Sequence, residues 1–373
     1  MTFPLETYTA RLDAVAALLA DRGLDAAVLT PGPDLRFLLA SAIDTHERFS
    51  ALVITPTSRR IIVPAVDAGA LRDGIPGQAG VEVVAWTDGQ DPHGLALSGL
   101  AGSGRIAVSG EMTADHLLTL QSRGVTTVNA TAVLRDVFMV KDAAETVELR
   151  RAGAAIDEVH RQVPSLLRPG RTEREVAADL ETLILAGHVS VDFIIVGSGP
   201  HGADPHHDVS DRVLGHGDIV VIDIGGTLDS GYHSDCTRTY VVGDPRPDQA
   251  EAYRVLQVAQ QAGLDAARPG ITAGELDGIV RDIITEAGYG QFYTHRTGHG
   301  IGLSCHEEPF IIAGNDLSLV EGMTFSIEPG IYVPGDWGAR IEDIVVLTAS
   351  GCEPLNGTTH DLVQVAEMTE ARS

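Results

Sequence analysis

Asp223 and Asp235 lie in VVIDIGGTLDSGYHSDCTRTY, His299 in GHGIGLSCHEEP, Glu328 in FSIEPGIY and Glu342 in ARIEDIVV. Apolar residues surround the acids: Ile219 to Ile222 lead into Asp223, Phe325 and Ile327 precede Glu328, and Ile341 and Ile344 flank Glu342. Side chains alternate along a strand, so acids in such runs are expected at the core-facing level of a sheet. Charged groups resist leaving water unless paired or metal-bound, and four carboxylates together repel strongly. Divalent cations relieve that repulsion, and we read Asp223, Asp235, Glu328 and Glu342 as metal ligands. The flanking glycines of His299 leave room for close approach, which makes its imidazole the fifth candidate. The bland alternatives are acids in four unrelated solvated turns and a histidine hydrogen-bonded in the core.

Oxygen-rich ligation with a single imidazole suits Mn²⁺ or Co²⁺, with Zn²⁺ also possible, and is unlike thiolate-rich structural zinc. Two such ions roughly 3.5–4 Å apart can hold a bridging hydroxide at neutral pH, polarise a carbonyl and clamp a tetrahedral intermediate. Hydrolysis of an amide or ester is the expected chemistry. His306, seven residues after His299, and His206 in GADPHHDVS are candidates for substrate contact or oxyanion stabilisation, or are structural. Cys236 follows Asp235 directly and is expected on the opposite strand face, in packing. Other motifs fail: GSGPHG lacks the Lys-Ser/Thr of a phosphate loop and does not match the dinucleotide fingerprint, and the chain has no GxSxG elbow.

An internal repeat explains how the acids could meet. Arg168-Pro169-Gly170-Arg171-Thr172 with Glu175-Val176 recurs as Arg268-Pro269-Gly270-Ile271-Thr272 with Glu275-Leu276, and each copy has the Thr-x-x-Glu spacing of a helix capping box. Gly217 lies six residues before Asp223, as Gly322 lies six before Glu328, and each half has a further acid past a Gly-containing turn. Two half-domains of helices plus a β-hairpin, each giving two carboxylates, imply a pseudo-twofold α+β domain with a binuclear site between the halves.

The first part of the chain has no cluster of ligand-type residues. Residues 6–22 place Leu12, Val15, Leu18 and Leu19 at helical spacing, with Gly23 as the stop. Ala26 to Leu29, Ala51 to Ile54 and Arg60 to Val63 read as strands, so this part alternates strand and helix as a structural or gating α/β domain. The run from Val133 to Val140 reads as strand-like, followed by a long amphipathic helix from about Ala143. The expected domains are 1–140 and 141–373.

Composition narrows the partners. Of the 373 residues, Lys+Arg number 26 against 52 Asp+Glu, a formal net charge of −26. So acidic a surface repels phosphate backbones and anionic lipid, which argues against nucleic acid and membrane partners. Lys141 is the only lysine, read here as compositional bias. Cys236, Cys305 and Cys352 are an odd number without CxxC spacing, which fits a reducing cytoplasm better than a disulfide framework or a zinc finger. The N-terminal residues do not have a signal peptide's pattern, and no apolar stretch approaches spanning length, so a soluble cytoplasmic protein is expected.

From about Ala143 onward the chain resembles the pita-bread metallopeptidases, which include Xaa-Pro dipeptidase (prolidase), aminopeptidase P and methionine aminopeptidase; HRTGHGIGLSCHEEP, IEPGIY and RIED carry the likeness. The first domain resembles the creatinase-type N-terminal domain of the first two. The resemblance implies that Asp223 chelates one metal, that His299 and Glu328 bind the other, and that Asp235 and Glu342 bridge both. It makes Glu328 the proton acceptor from the bridging water, His206 a substrate-binding histidine, and His306 the contact to the scissile carbonyl or its oxyanion. It adds His295 as a supporting histidine near the substrate and Arg340 as an arginine that orders the site. A homodimer, with N-terminal domains bordering the neighbouring active site, is also implied.

Two departures stand out. The interval from Asp223 to Asp235 is one residue longer than the common family spacing, an insertion that the Thr227 to Gly231 turn could absorb as a bulge or longer loop. Archaeal-type prolidases hold the dipeptide carboxylate with an arginine after HE-x-P, where this chain has Phe310; Arg48 or Arg36 of a partner subunit are the substitutes considered. The expected function is Mn²⁺- or Co²⁺-dependent hydrolysis of Xaa-Pro dipeptides, with aminopeptidase P-like action on longer peptides as the alternative. A metal-free peptide-binding or creatinase-like relative is disfavoured because all five ligand positions are filled.

Overall fold

Leu12, Val15 and Leu19 recur at helical spacing and are fully buried, whereas Leu18 is only half-buried, so one apolar stripe winds residues Leu5–Asp21 into α1. The structure is a computed structural model that describes residues 3–44, 46–100 and 102–365. It divides into two compact units, residues 1–138 and 139–373.

In the first unit, β1 (Ala26–Leu29), β2 (Ala51–Ile54), β3 (Arg59–Pro64), β4 (Glu82–Trp86), β5 (Arg105–Val108) and β6 (Thr126–Asn129) form one sheet in the order β4-β3-β2-β1-β5-β6. The pairs β1–β2 and β2–β3 are antiparallel and the others parallel. Strands β1 and β2 are buried along their whole length, as expected of strands covered on both faces. The connections hold α2 (Pro33–Leu39), α3 (Ala68–Asp73), α4 (Ile75–Gln78), α5 (Pro92–Leu97) and α6 (Ala114–Gln121). The run expected as a strand from Val133 to Val140 is instead largely helix, α7 (Ala130–Phe138). Its buried residues Ala130, Val133 and Leu134 fall at the helical spacing of three and four, and that periodicity outweighs the local β-branched composition.

The second unit opens with α8 (Ala143–Leu166), capped by Asp142, whose carboxylate accepts from the Ala144 and Glu145 amides at 2.8 Å each. The first half continues with α9 (Glu173–Leu185), β7 (Ser190–Ser198), β8 (Ile219–Thr227) and β9 (His233–Val242); the second with α10 (Pro247–Ala266), α11 (Ala273–Glu286), β10 (Gly298–Gly300), β11 (Glu307–Ile311), β12 (Thr324–Ile327), a hairpin of β13 (Gly330–Val333) and β14 (Trp337–Arg340), then β15 (Asp343–Thr348) and β16 (Gly351–Pro354). A last strand, β17 (Val363–Val365), returns to the first half, giving sheets ordered β17-β9-β8-β7 and β11-β10-β12-β15-β16.

The sequence repeat is a structural one. Both Thr-x-x-Glu segments form complete capping boxes. Thr172 bridges to Val213 and Thr272 to Ser318; the Gly170 amide donates to Leu214 O at 3.0 Å and the Gly270 amide to Leu319 O at 2.9 Å. Gly217 and Gly322 turn with φ of 83° and 87°, the left-handed region that favours glycine, before the strands that carry Asp223 and lead to Glu328.

Candidate metal centre

Strand pairing places the first two acids. Across the β8–β9 hairpin Asp223 faces Thr237 and Gly225 faces Asp235, and since alternate residues share a face, Asp223, Asp235 and Thr237 project together. This register runs without a bulge, so any extra residue between the two aspartates is taken up in the loop 228–232. In the other half Ile327 pairs with Asp343, which sets Glu328 and Glu342 just beyond the paired ends of β12 and β15. Both were expected within strands; Glu328 lies in the break between β12 and β13, and Glu342 in the break between β14 and β15, where its amide donates to Thr237 O at 3.1 Å.

The side chains converge. Ligand atoms of Asp235, His299 and Glu342 lie within 4.8 Å of one another. His299 Nε2 stands 3.6 Å from Asp235 Oδ2 and 3.3 Å from Glu328 Oε1. Thr237 Oγ1 donates to Glu342 Oε2 at 2.7 Å, and Ser326 Oγ donates to Glu328 Oε1 at 2.9 Å while accepting the His299 amide at 2.9 Å. Arg340 closes the group: Nη2 donates to Asp223 Oδ2 at 2.5 Å, Nε to Thr237 Oγ1 at 3.0 Å and Nη1 to the Tyr332 hydroxyl at 2.7 Å. His295 Nε2 meets the same hydroxyl at 2.9 Å.

The electrostatics separate these acids from an ordinary buried one. Asp235 and Glu342 are pushed well above the usual carboxylate range, chiefly by burial and then by the neighbouring acids. Asp343, the next residue along, is equally buried but held below its usual value, because His360 Nε2 at 2.7 Å and Arg238 Nη2 at 2.7 Å outweigh its burial. Burial also drives the His299 imidazole down to about 4. Among the described residues, Asp223 Oδ1 is buried with no hydrogen-bond partner. A group of mutually repelling carboxylates, one with a free acceptor, beside a neutral imidazole is a donor set that fits divalent cations.

The other expected residues fall differently. The His306 ring lies 4.1 Å from that of His299 and is exposed; its pKa falls to about 4 through burial of part of the ring, then the charges of His299 and Arg296. His206 is also exposed, and the structure ties only its neighbour Pro205 to the cluster, through a long contact (3.5 Å) between Arg340 Nη2 and Pro205 O. Cys236 points away into the first-half core. Thr237, Ser326 and Tyr332 went unforeseen. Thr237 and Ser326 had a signal, since each sits two residues from a predicted ligand and therefore shares its face; Tyr332 had none.

The model of metallopeptidase family M24 matches residues 147–349. The chain belongs to metallopeptidase family M24. The Creatinase/Prolidase N-terminal domain matches residues 11–140, so the pita-bread catalytic fold is joined to a creatinase-type domain. The chain is 52% identical over 367 residues to the probable dipeptidase PepE of Mycobacterium tuberculosis, covering 97% of this chain and 98% of the relative. It is 34% identical to the Xaa-Pro dipeptidase of Lactobacillus delbrueckii subsp. lactis, across 94% and 98% of the two chains. The crystal structure of dipeptidase PepE from Mycobacterium ulcerans superposes with a TM-score of 0.95 at 52% identity, covering 98% of this chain and 100% of that one. This chain is therefore a peptidase of a family that works with divalent metal ions. Among the described residues no helix is long and apolar enough to cross a membrane.

Proposed function

We propose that the chain is a binuclear-metal dipeptidase that cleaves the bond between a residue and a following proline. The observation that carries this reading is the convergence of Asp235, His299 and Glu342, with Glu328 beside His299 and Asp223 paired with Arg340, in a chain alike over nearly its whole length to a probable dipeptidase and a Xaa-Pro dipeptidase. Asp223 would hold one ion, His299 and Glu328 the other, and Asp235 and Glu342 both, with manganese foremost and cobalt or zinc as alternatives. When bound, such ions polarise the scissile carbonyl and bring the pKa of water toward neutrality.

The protein's own groups divide the remaining work. Glu328 accepts the proton of the attacking water: its side chain is 15% exposed against 4% for Asp235, so it faces the open side, while Ser326 fixes one of its oxygens. His306 donates to the carbonyl oxygen, and its exposed ring beside His299 is free to be covered by substrate. His206 contacts the peptide from the other exposed position. His295 and Arg340, joined through Tyr332, hold the wall behind Asp223 rigid. Three free cysteines support a reducing cytoplasmic setting, and a homodimer accompanies this reading.

Steady-state rates of the manganese-loaded protein on Ala-Pro and on Ala-Pro-Ala-Ala test it. Turnover of Ala-Pro at the higher kcat/KM is expected; turnover of the longer peptide alone would make the chain an aminopeptidase, and turnover of neither would reject the reading.

A further inference from the structure

Arginines in the second unit are nearly all claimed by acids. Among the described residues of 139–373, every arginine but three lies in an ion pair with Asp or Glu. Two of the three, Arg168 and Arg268, donate to backbone carbonyls at 3.1 Å each. The third, Arg296, has no side-chain hydrogen bond or ion pair among the described residues, although it is half-buried in a chain with a net charge of −26. Its guanidinium lies instead over the Phe310 ring, Cζ 4.6 Å from the centroid. A cation stacked this way has one flat face covered while its N–H edge stays available, and that edge matches a carboxylate in two parallel hydrogen bonds.

The position of that edge is informative. Phe310 on β11 pairs with His299 on β10, and residues paired across antiparallel strands project from the same face. The Arg296 guanidinium has therefore been carried from three residues upstream to the level of His299, with the His306 ring 4.1 Å from His299 beside it. A dipeptide has its free carboxylate one residue beyond the scissile carbonyl, at most about 3.6 Å of chain. An anchor for that carboxylate must sit at this level. Arg48, one of the arginines considered from the sequence, is within ion-pair distance of Asp88 at 3.3 Å.

We propose that Arg296, seated on Phe310, binds the free C-terminal carboxylate of the substrate and so restricts hydrolysis to dipeptides. The assignment rests on the dipeptidase reading above. Arg296 is a specificity determinant: it acts on the end of the substrate, away from the bond that breaks, and only substrates ending one residue past that bond present it with a charge.

Calorimetric titration of the metal-depleted full chain with Ala-Pro and with its C-terminal amide tests the anchor without turnover. The wild type should bind the acid roughly ten- to a hundredfold tighter than the amide, the range of a hydrogen-bonded charge. Arg296→Met should bring that ratio to within about threefold of unity, and Arg296→Lys should leave an intermediate ratio. Because both ligands are measured on the same protein, the ratio reports the anchor even where a variant binds more weakly throughout; Arg296→Gln, which keeps a planar group over Phe310, repeats the measurement if the methionine variant melts early. A ratio unchanged in both Arg296→Met and Arg296→Gln, or a wild type indifferent to the amide, overturns the proposal. So does loss of a preference for Asp-Pro over Ala-Pro with the acid-to-amide ratio intact, which would assign Arg296 to a side chain. Failure of the manganese-loaded protein to hydrolyse any Xaa-Pro peptide would instead reject the function and leave the binding ratio standing.

Discussion

Arg340 donates to Asp223 across 2.5 Å with side-chain exposures of only 4% and 12%, so the acid cluster contains a resident cation. That guanidinium is fixed at three points, by Asp223, Thr237 and Tyr332. Removing one partner of a buried pair strands the other, at a cost of about 3–5 kcal/mol. Arg340→Met should therefore destabilise the metal-depleted protein by about that amount in urea unfolding. Arg340→Lys should recover less than half, since an ammonium cannot span all three partners in the guanidinium's plane.

Metal removal should act in the same place. Dialysis against a chelator is expected to lower the melting temperature of the catalytic unit, and manganese at about a hundred times its Kd should restore about 2.7 kcal/mol. Asp235→Asn separates repulsion from ligation. It removes a like charge facing Asp223 and Glu328, so the metal-free variant should melt no lower than wild type, while the manganese-induced rise, read by calorimetry, should disappear.

A second buried carboxylate makes an opposite prediction with pH. Glu173, at the first turn of α9, accepts from the amide and hydroxyl of Ser198 at 3.0 and 2.6 Å, from the hydroxyl of Ser210 at 2.6 Å and from His207 Nε2 at 2.9 Å. Burial alone would raise its pKa, but these donors hold it at about 2 against an ordinary 4.5. A depressed folded pKa contributes stability that is whole above the unfolded value and is lost as pH falls toward the folded one. Between pH 4.5 and 2 the wild type should thus lose about 2 kcal/mol that Glu173→Gln does not lose, after allowance for partial screening. Melting temperatures of the two proteins across that window check the sign.

How far the sequence could be read depends on what each signal reports. The repeated Thr-x-x-Glu boxes, the glycine six residues ahead of each first acid and the first helix are local patterns, and local hydrogen bonding made them as expected. The strand expected over Val133 to Val140 failed because the β-branched composition of that run points one way and the helical spacing of Ala130, Val133 and Leu134, which begins ahead of it, points the other. Glycines beside His299 were read as room for approach, and the approach is backbone: a Cβ on Gly298 would overlap Ser326 O, and one on Gly300 would overlap Glu308 O. What was illegible is what depends on distant pairing. Nothing in the sequence joins Tyr332 to His295, seats Arg296 on Phe310, or turns Glu342 and Asp343 to opposite partners.

Lys141 is the sharpest case, because composition made the chain's only lysine look incidental. Its side chain is 3% exposed and its Nζ pairs with Glu307, the residue after His306. Glu307 Oε2 also takes the Ser304 amide at 3.4 Å, and a side chain on Gly302 would fall 2.9 Å from both Lys141 Cε and Glu307 Oε1. The lysine thus clamps the 302–307 loop that presents His306, while its own amide donates to Gly322 O at 2.9 Å. Lys141→Met should cost up to about 3 kcal/mol by leaving the half-buried Glu307 without its cation, and adding Glu307→Leu should return part of that loss, because two apolar groups replace a pair. An amine-reactive reagent reads the wild type directly: Lys141 should label only at urea concentrations that unfold the unit. The double variant then isolates the clamp from the charge, since regained stability with a KM for Ala-Pro still raised several-fold is the result expected if the pair's role is to hold His306 in register with His299.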